Sequence, residues 1–266
     1  MINLKTNEEL ELLSASNLLV SRTLGELAKM IKPGMTTLEL DRFAEEYIRD
    51  HKGIPAFLGY NGFPKTLCTS VNSEVVHGIP SSYSLKDGDI ISIDCGVKLN
   101  SFFGDSAYTF EVGEVDNETK KLVNSTKESL FKGIEKAIDG NRLGDISSAI
   151  QQYAENEGYS VVREMVGHGL GKDLHEEPEV PNFGKKGTGV RLTSGMVLCL
   201  EPMINMGSRY ILQDSDGWTI RTRDNKPSAH FELAVAIKKQ EPLILSTFRF
   251  IEETLNINND KFLIQT

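Results

Sequence analysis

Five candidate metal ligands, four carboxylates and one imidazole, are the feature that most constrains how this 266-residue chain can fold. Each lies in a short apolar or glycine-rich segment, where a carboxylate is rarely buried unless it is paired or binds a cation. Four such carboxylates indicate a shared cation. Oxygen-rich ligation with a single imidazole favours a pair of divalent ions over one structural zinc. The fold must therefore bring together five distant residues: Asp94, Asp105, His168, Glu201 and Glu232.

The composition argues against several classes of protein. A net charge of −9 is not typical of a nucleic-acid or anionic-membrane binder, because attraction to phosphates requires a basic face. No N-terminal signal sequence is evident, and no stretch approaches the roughly 20 apolar residues of a membrane span. The three cysteines, Cys68, Cys95 and Cys199, form neither a disulfide framework nor a CxxC pair. We therefore expect a cytoplasmic protein, and nothing demands a subunit interface, so we expect a monomer.

Capping signals and hydrophobic periodicity predict the order of the elements. Thr6, with Glu9 three residues later, has the pattern of a capping box and begins a helix predicted over 7–31. The region 160–250 has the pattern of strands and loops. No linker divides residues 1–266, which predicts a single domain. The remaining predicted elements are helices over 37–51, 117–138 and 143–157 and strands over 89–97 and 102–112.

Two weak internal echoes suggest a duplicated α+β half. The segment 85–94 (LKDGDIISID) resembles 192–201 (LTSGMVLCLE) at an offset of 107, which places Asp94 and Glu201 at equivalent strand ends. Chance also produces matches of this kind, so the duplication is a hypothesis, in which the metal lies between the halves. The other echo, at an offset of 106, relates Gly34, Leu40 and Tyr47 to Gly140, Ile146 and Tyr153.

Strand alternation and turn signals suggest how the first two candidates meet. In the segment 91–94, Asp94 lies on the face opposite the two isoleucines, and Asp105 follows across a short hairpin. Either aspartate alone is better explained as a turn or cap residue. Two of them flanking one apolar hairpin favour a metal site.

The remaining candidates follow the same logic. His168 lies between glycines, which permit close approach of a ligand, and His175 follows in the same loop. Glu201 precedes a proline that favours extended backbone, and Glu232 shares a strand face with His230. Each of these residues, taken alone, could be a structural or solvent-facing residue. The pattern recurs too often for this explanation to hold for all of them. His77, by itself, reads as an ordinary loop histidine.

The segments around these residues resemble the type I methionine aminopeptidase family in its short bacterial form, nearly from end to end. The resemblance implies the pita-bread (creatinase/aminopeptidase-like) fold. This is an α+β architecture of two halves related by a pseudo-two-fold axis, with antiparallel sheet inside and helices outside. The family's order and spacing are kept by VNSEVVHGIP, DIISIDCGVKLNSFFGDSA, GHGLGKDLHEEP, LEPMI and DGWTIRTRD.

The resemblance also implies residue roles. The five candidates would bind two divalent ions (cobalt, manganese, iron or zinc), with Asp94 bridging them. Glu201 would also be the general base toward the attacking water. His77 and His175 would contact the substrate and stabilise the tetrahedral intermediate. No cysteine nucleophile is needed, and we expect Cys95 and Cys199 to alternate away from the neighbouring ligands into the core.

The pocket for the substrate methionine is implied by position, at Tyr60, Phe63, Cys68 and Trp218. Two neighbours depart from the common bacterial pattern: Phe57 replaces a small residue or cysteine, and Leu174 replaces an aromatic residue. These changes leave fine specificity open. His230 stands where glutamine is frequent, either as a partner of a ligand or as an extra ligand.

The implied function is removal of the initiator methionine from nascent proteins with a small second residue, with the ribosome as a possible further partner. Two alternatives stay open. One is an Xaa-Pro aminopeptidase or dipeptidase on the same scaffold. The other is a non-catalytic relative that binds proteins or ribosomes, although such a protein would be expected to lose ligands.

Overall fold

The structure, a computed structural model, describes residues 2–257. The single domain predicted over 1–266 also includes Met1 and residues 258–266, which lie outside the described residues, and it stays a prediction. Within 2–257, none of the helices combines the length and the apolar character that a membrane span requires.

Helices in the described part of the chain begin where the capping signals predict. The Glu9 N–H donates to Thr6 Oγ1 at 3.2 Å, and the Thr6 N–H donates to Glu9 Oε2 at 3.1 Å, which confirms the predicted capping box. The first and third helices end three and four residues earlier than predicted, and the last helix was not predicted. The helices are α1 (Asn7–Ala28), α2 (Thr37–Asp50), α3 (Asn117–Ile134), α4 (Leu143–Asn156) and α5 (Arg249–Leu255).

Strands form four antiparallel sheets among residues 2–257. The strands of the first half are β1 (Ile54–Pro55), β2 (Leu67–Val71), β3 (Glu74–Val76), β4 (Ile90–Leu99) and β5 (Phe102–Glu111). Those that follow are β6 (Ser160–Val161), β7 (Gly167–Gly169), β8 (Glu176–Val180), β9 (Val197–Leu200) and β10 (Met203–Asn205). The last are β11 (Ile211–Gln213), β12 (Ile220–Thr222), β13 (Ser228–His230), β14 (Leu233–Ala236) and β15 (Leu243–Ile244).

Two of these sheets carry the candidate ligands. In one, β4 pairs with β1, β2 and β5, and in the other the order is β15-β14-β9-β7-β8. The sheets β13-β10-β6 and β11-β12-β3 complete the strand pairing. The buried core contains residues of both halves, including Ile91 and Ile93 of β4 and Leu198 and Leu200 of β9.

Equivalent hydrogen bonds support the duplication. The helices α2 and α4 have the same length and start 106 residues apart (143 − 37), and β4 and β9 start 107 apart (197 − 90). In the first half the Gly34 N–H donates to the Leu85 carbonyl at 2.8 Å. In the second half the Gly140 N–H donates to the Leu192 carbonyl at 3.0 Å. The echoes in the sequence therefore mark corresponding parts of two α+β halves.

Candidate metal centre and substrate cavity

A tight hairpin positions Asp94 and Asp105. Leu99 pairs with Phe102, so only Asn100 and Ser101 connect β4 to β5, and both have positive φ (51° and 69°). That conformation is the one a two-residue type I′ turn requires, and it fixes the register of the hairpin. Asp94 thereby faces Ala107, and Asp105 faces Gly96, with its backbone N–H donating to Asn17 of α1 at 3.2 Å.

The second half brings its three candidates to the same place. Glu201 directly follows β9, and Glu232 directly precedes β14, so the pairing of Leu200 with Leu233 sets the two glutamates at one end of this strand pair. His168 lies on β7, beside β9. Its Nε2 is 3.6 Å from Glu201 Oε1 and 3.9 Å from Asp105 Oδ2, which joins the two halves of the fold.

Burial without hydrogen-bond partners characterises the carboxylates of this cluster. Asp105 and Glu232 are only 3% and 2% exposed. One oxygen each of Asp94, Asp105 and Glu232 accepts no hydrogen bond from the described residues. Such groups are costly to bury unless a cation satisfies them. The site therefore fits divalent ions in the chemistry of its donors as well as in its spacing.

The pKa shifts of these residues have the same origin. Burial raises the pKa of Asp94 to about 6. Burial, followed by repulsion among the carboxylates, raises the pKa values of Asp105, Glu201 and Glu232 well above their ordinary range. Burial, and then the charge of His175, lowers the pKa of His168 to about 3. Without a cation, burial therefore disfavours the ionised form of each carboxylate, whereas His168 is neutral and available as a ligand.

Cys199 is buried in the core as expected, but its thiol lies in the cluster, so the expected alternation away from the ligands is wrong. The ligand atoms of Asp105, His168, Cys199 and Glu232 all lie within 4.8 Å of one another. The reason is strand periodicity: Cys199 precedes Glu201 by two residues and so shares its face, whereas Cys95 follows Asp94 by one and packs into the opposite core. Burial, and then the charges of Glu232 and Asp105, raise the pKa of the Cys199 thiol.

Two further histidines face the cluster. His77 has a positive φ of 60°, uncommon for a side chain larger than asparagine, and burial lowers its pKa to about 4. The His175 ring lies 4.3 Å from the His168 ring, and its Nδ1 is 2.7 Å from the Tyr60 hydroxyl. Burial also lowers the pKa of His175. Both rings are therefore neutral at pH 7, suited to hydrogen bonding rather than to carrying charge.

His230 also belongs to this neighbourhood. It is 1% exposed, and its Nε2 lies 3.6 Å from Glu201 Oε2, with no hydrogen-bond partner among the described residues. Burial lowers its pKa to about 4. Both roles considered for His230, support of a ligand and direct ligation, require such a position beside Glu201.

A cavity of about 250 Å³ opens in front of the candidate ligands. All four residues predicted for the methionine pocket line it, and the rings of Phe63 and Trp218 meet edge to face at 5.1 Å. Phe57 and Leu174, the two departures from the common pattern, line it as well. The sequence did not indicate five other lining residues, because no local pattern marks them: Asn61, Val76, Met165, Val166 and Met203.

The N-terminal segment supports the loop that carries His175. Lys5 Nζ lies 2.5 Å from Glu176 Oε2, and the two side chains are only 5% and 7% exposed. Glu176 Oε1 also accepts a hydrogen bond from the Lys172 N–H at 2.9 Å. Although burial raises the pKa of Glu176, its hydrogen bond with Lys5 and the Lys5 charge hold that pKa below the ordinary value. The chain before α1 thus fixes the residue next to His175.

Comparisons with known proteins agree with this geometry. Residues 11–239 match the model of metallopeptidase family M24. Methionine aminopeptidase of Clostridium perfringens is 54% identical over 249 residues, covering 94% of this chain and 100% of that protein. The crystal structure of methionine aminopeptidase from Rickettsia prowazekii has a TM-score of 0.92 and 41% identity, covering 93% of this chain and 100% of that chain. The resemblance read from the sequence is confirmed.

A more distant likeness shows the fold alone. The crystal structure of X-Pro aminopeptidase from Thermotoga maritima has a TM-score of 0.72 at 22% identity, and it covers 92% of this chain but 62% of that chain. The predicted α+β pita-bread fold is therefore confirmed.

Proposed function

The chain belongs to metallopeptidase family M24, and from that premise we propose that it is a methionine aminopeptidase. It hydrolyses the first peptide bond of nascent proteins and releases the initiator methionine. The observation that carries the proposal is one cavity in which four carboxylates, two of them buried, and His168 adjoin two neutral histidines and an aromatic pocket. We place the activity in the cytoplasm, in a monomer, with the ribosome as a further candidate partner.

We assign two divalent ions to the cluster, held by Asp94, Asp105, His168, Glu201 and Glu232. The unpartnered oxygens of Asp94, Asp105 and Glu232 support this assignment. When bound, such an ion lowers the pKa of its water to about 7 and so supplies hydroxide at neutral pH. Cobalt, manganese, iron and zinc all suit this donor set.

Glu201 is the general base in this proposal. It lines the cavity with 14% of its side chain exposed, so that it can accept the proton of the attacking water. His230 Nε2 lies 3.6 Å from the second Glu201 oxygen, and we assign it the support of this carboxylate.

His77 and His175 act on the substrate. Both line the cavity and both are neutral at pH 7, so each can donate a hydrogen bond to the oxygen of the scissile carbonyl as negative charge develops there. The Tyr60 hydroxyl, 2.7 Å from His175 Nδ1, fixes the orientation of one of these rings.

The aromatic wall of the cavity selects the methionine side chain. A thioether packs favourably against aromatic edges, and Phe63 and Trp218 present such edges beside Tyr60 and Cys68. Phe57 and Leu174 line the same space, and we assign them the adjustment of its volume. The residue after methionine must be small, as in the family that the chain resembles.

A peptide panel tests the proposal against its alternatives. Metal-stripped protein, reconstituted separately with Mn²⁺, Fe²⁺, Co²⁺ or Zn²⁺, is given Met-Ala-Ser, Met-Leu-Ser and Ala-Pro-Ser. Release of methionine from Met-Ala-Ser alone supports the proposal. Preferred cleavage of Ala-Pro-Ser assigns the chain to proline-specific hydrolysis, and ion binding without turnover of any peptide favours the non-catalytic alternative.

A further inference from the structure

We propose that the thiol of Cys199 is a sulfur donor to the ion held by Asp105, His168 and Glu232. The centre would then bind soft and borderline ions, such as Cd²⁺, Zn²⁺ and Co²⁺, in preference to hard ions such as Mn²⁺. This inference rests on the metal centre of the proposed function. It adds a sulfur ligand to the five candidates, which supply only nitrogen and oxygen.

Strand register delivers the thiol to the cluster. Cys199 lies on β9, the middle strand of its sheet, where it pairs with His168 on β7 and with Ala234 on β14. Directly paired residues present their side chains on the same face. The thiol therefore shares a face with the His168 ring and with the small Ala234 side chain.

Distances and burial are consistent with one coordination sphere. The ligand atoms of all four residues lie within 4.8 Å of one another, and Cys199 is fully buried. In a tetrahedral site with zinc bonds of about 2.3 Å to sulfur and about 2.1 Å to nitrogen or oxygen, the ligand atoms lie roughly 3.5 Å apart. The four side chains must therefore move closer together when an ion binds.

Independent evidence for a ligand comes from the neighbouring carboxylates. Asp105 Oδ1 and Glu232 Oε1 are buried and accept no hydrogen bond from the described residues, although each belongs to a residue at most 3% exposed. A cation in contact with both oxygens satisfies them. The thiol lies beside these two groups and is within reach of the same cation.

The proton balance of binding is simple. The S–H bond breaks, a sulfur–metal bond forms, and the proton leaves to the solvent, so no oxidant or reductant is required. The gain must exceed the cost of removing a proton from a buried thiol beside carboxylates. Ions with strong bonds to sulfur meet this cost, whereas Mn²⁺, which prefers oxygen ligands, does not.

Absorption spectroscopy tests the proposal directly, with Cys95→Ala as the matched control. Cys95 is equally buried and adjoins a ligand, but it packs into the opposite core. Metal-stripped protein is titrated with Cd²⁺ and, separately, with Co²⁺. We expect thiolate-to-metal charge-transfer absorption in the wild-type protein and in Cys95→Ala, and none in Cys199→Ala. The Kd for Cd²⁺ should rise by about 10-fold or more in Cys199→Ala, with the Kd for Mn²⁺ unchanged.

A second variant guards against a folding defect. Cys199→Ser keeps the size and polarity of the side chain but gives no sulfur band, and circular dichroism shows whether each variant is folded. Binding of Cd²⁺ to the wild-type protein without a charge-transfer band would overturn the thiol ligand and leave the proposed function intact. Failure of the wild-type protein to bind any divalent ion would overturn both.

Discussion

Replacing Lys5 with methionine should destabilise the protein far more than the same replacement of an exposed lysine. Lys5 and Glu176 form an ion pair whose side chains are 5% and 7% exposed, so the substitution leaves a buried carboxylate without its cation. Breaking such a pair costs about 3–5 kcal/mol, and we expect about 3 kcal/mol because Glu176 keeps its hydrogen bond from the Lys172 N–H. That loss corresponds to a fall in Tm of roughly 6–12 °C.

Urea unfolding of Lys5→Met and of Lys29→Met measures this difference. Lys29 pairs with Glu26 on the surface, where the side chains are 55% and 36% exposed, and its replacement should cost below about 1 kcal/mol. Lys5→Met should also lower kcat, because Glu176 follows His175 in the chain. Equal free energies of unfolding for the two variants would refute the argument that the N-terminal segment fixes this loop.

Three further predictions follow from the site and its packing. His175→Ala should lower kcat by about 10²-fold or more with unchanged ion content by atomic absorption, and a parallel loss of ion would contradict its assigned role. Ion binding near pH 6 should release protons, because burial raises the pKa of Asp94 to about 6 and raises that of Asp105 well above its ordinary value, so calorimetric heats must vary with the buffer's ionisation enthalpy. Gly104→Ala places a Cβ 2.5 Å from the Ser16 carbonyl carbon and should destabilise by about 1–3 kcal/mol, which an unchanged unfolding midpoint would disprove.

Local signals allowed much of the fold to be predicted. The capping box at Thr6 and Glu9 is a contact between near neighbours, so α1 begins where the sequence indicates. The hairpin of β4 and β5 follows likewise from alternation and a two-residue turn. By contrast, α5 was missed because Phe248, the residue before it, makes no capping hydrogen bond through its side chain. The local signal lies one residue earlier, at Thr247, whose hydroxyl accepts a hydrogen bond from the Arg249 N–H at 3.1 Å.

The site was predicted less completely, because much of it depends on long-range contacts. The ion pair of Lys5 with Glu176 joins residues 171 positions apart. Met165 and Val166 line the cavity because of the tertiary fold, and no local sequence pattern marks them. The position of Cys199 could have been predicted, because its spacing of two from Glu201 already places both side chains on one strand face. The family resemblance indicated the ligand set, and the structure adds the arrangement in space.

Metal-dependent release of methionine by the wild-type protein and by Glu201→Gln tests the central claim most directly. Metal-stripped protein receives Met-Ala-Ser with and without two equivalents of Co²⁺, while calorimetry measures ion binding by both proteins. The account predicts methionine only from ion-loaded wild-type protein, and none from Glu201→Gln, even where that variant binds an ion. Release of methionine without an ion, or near-normal turnover by Glu201→Gln, would contradict it.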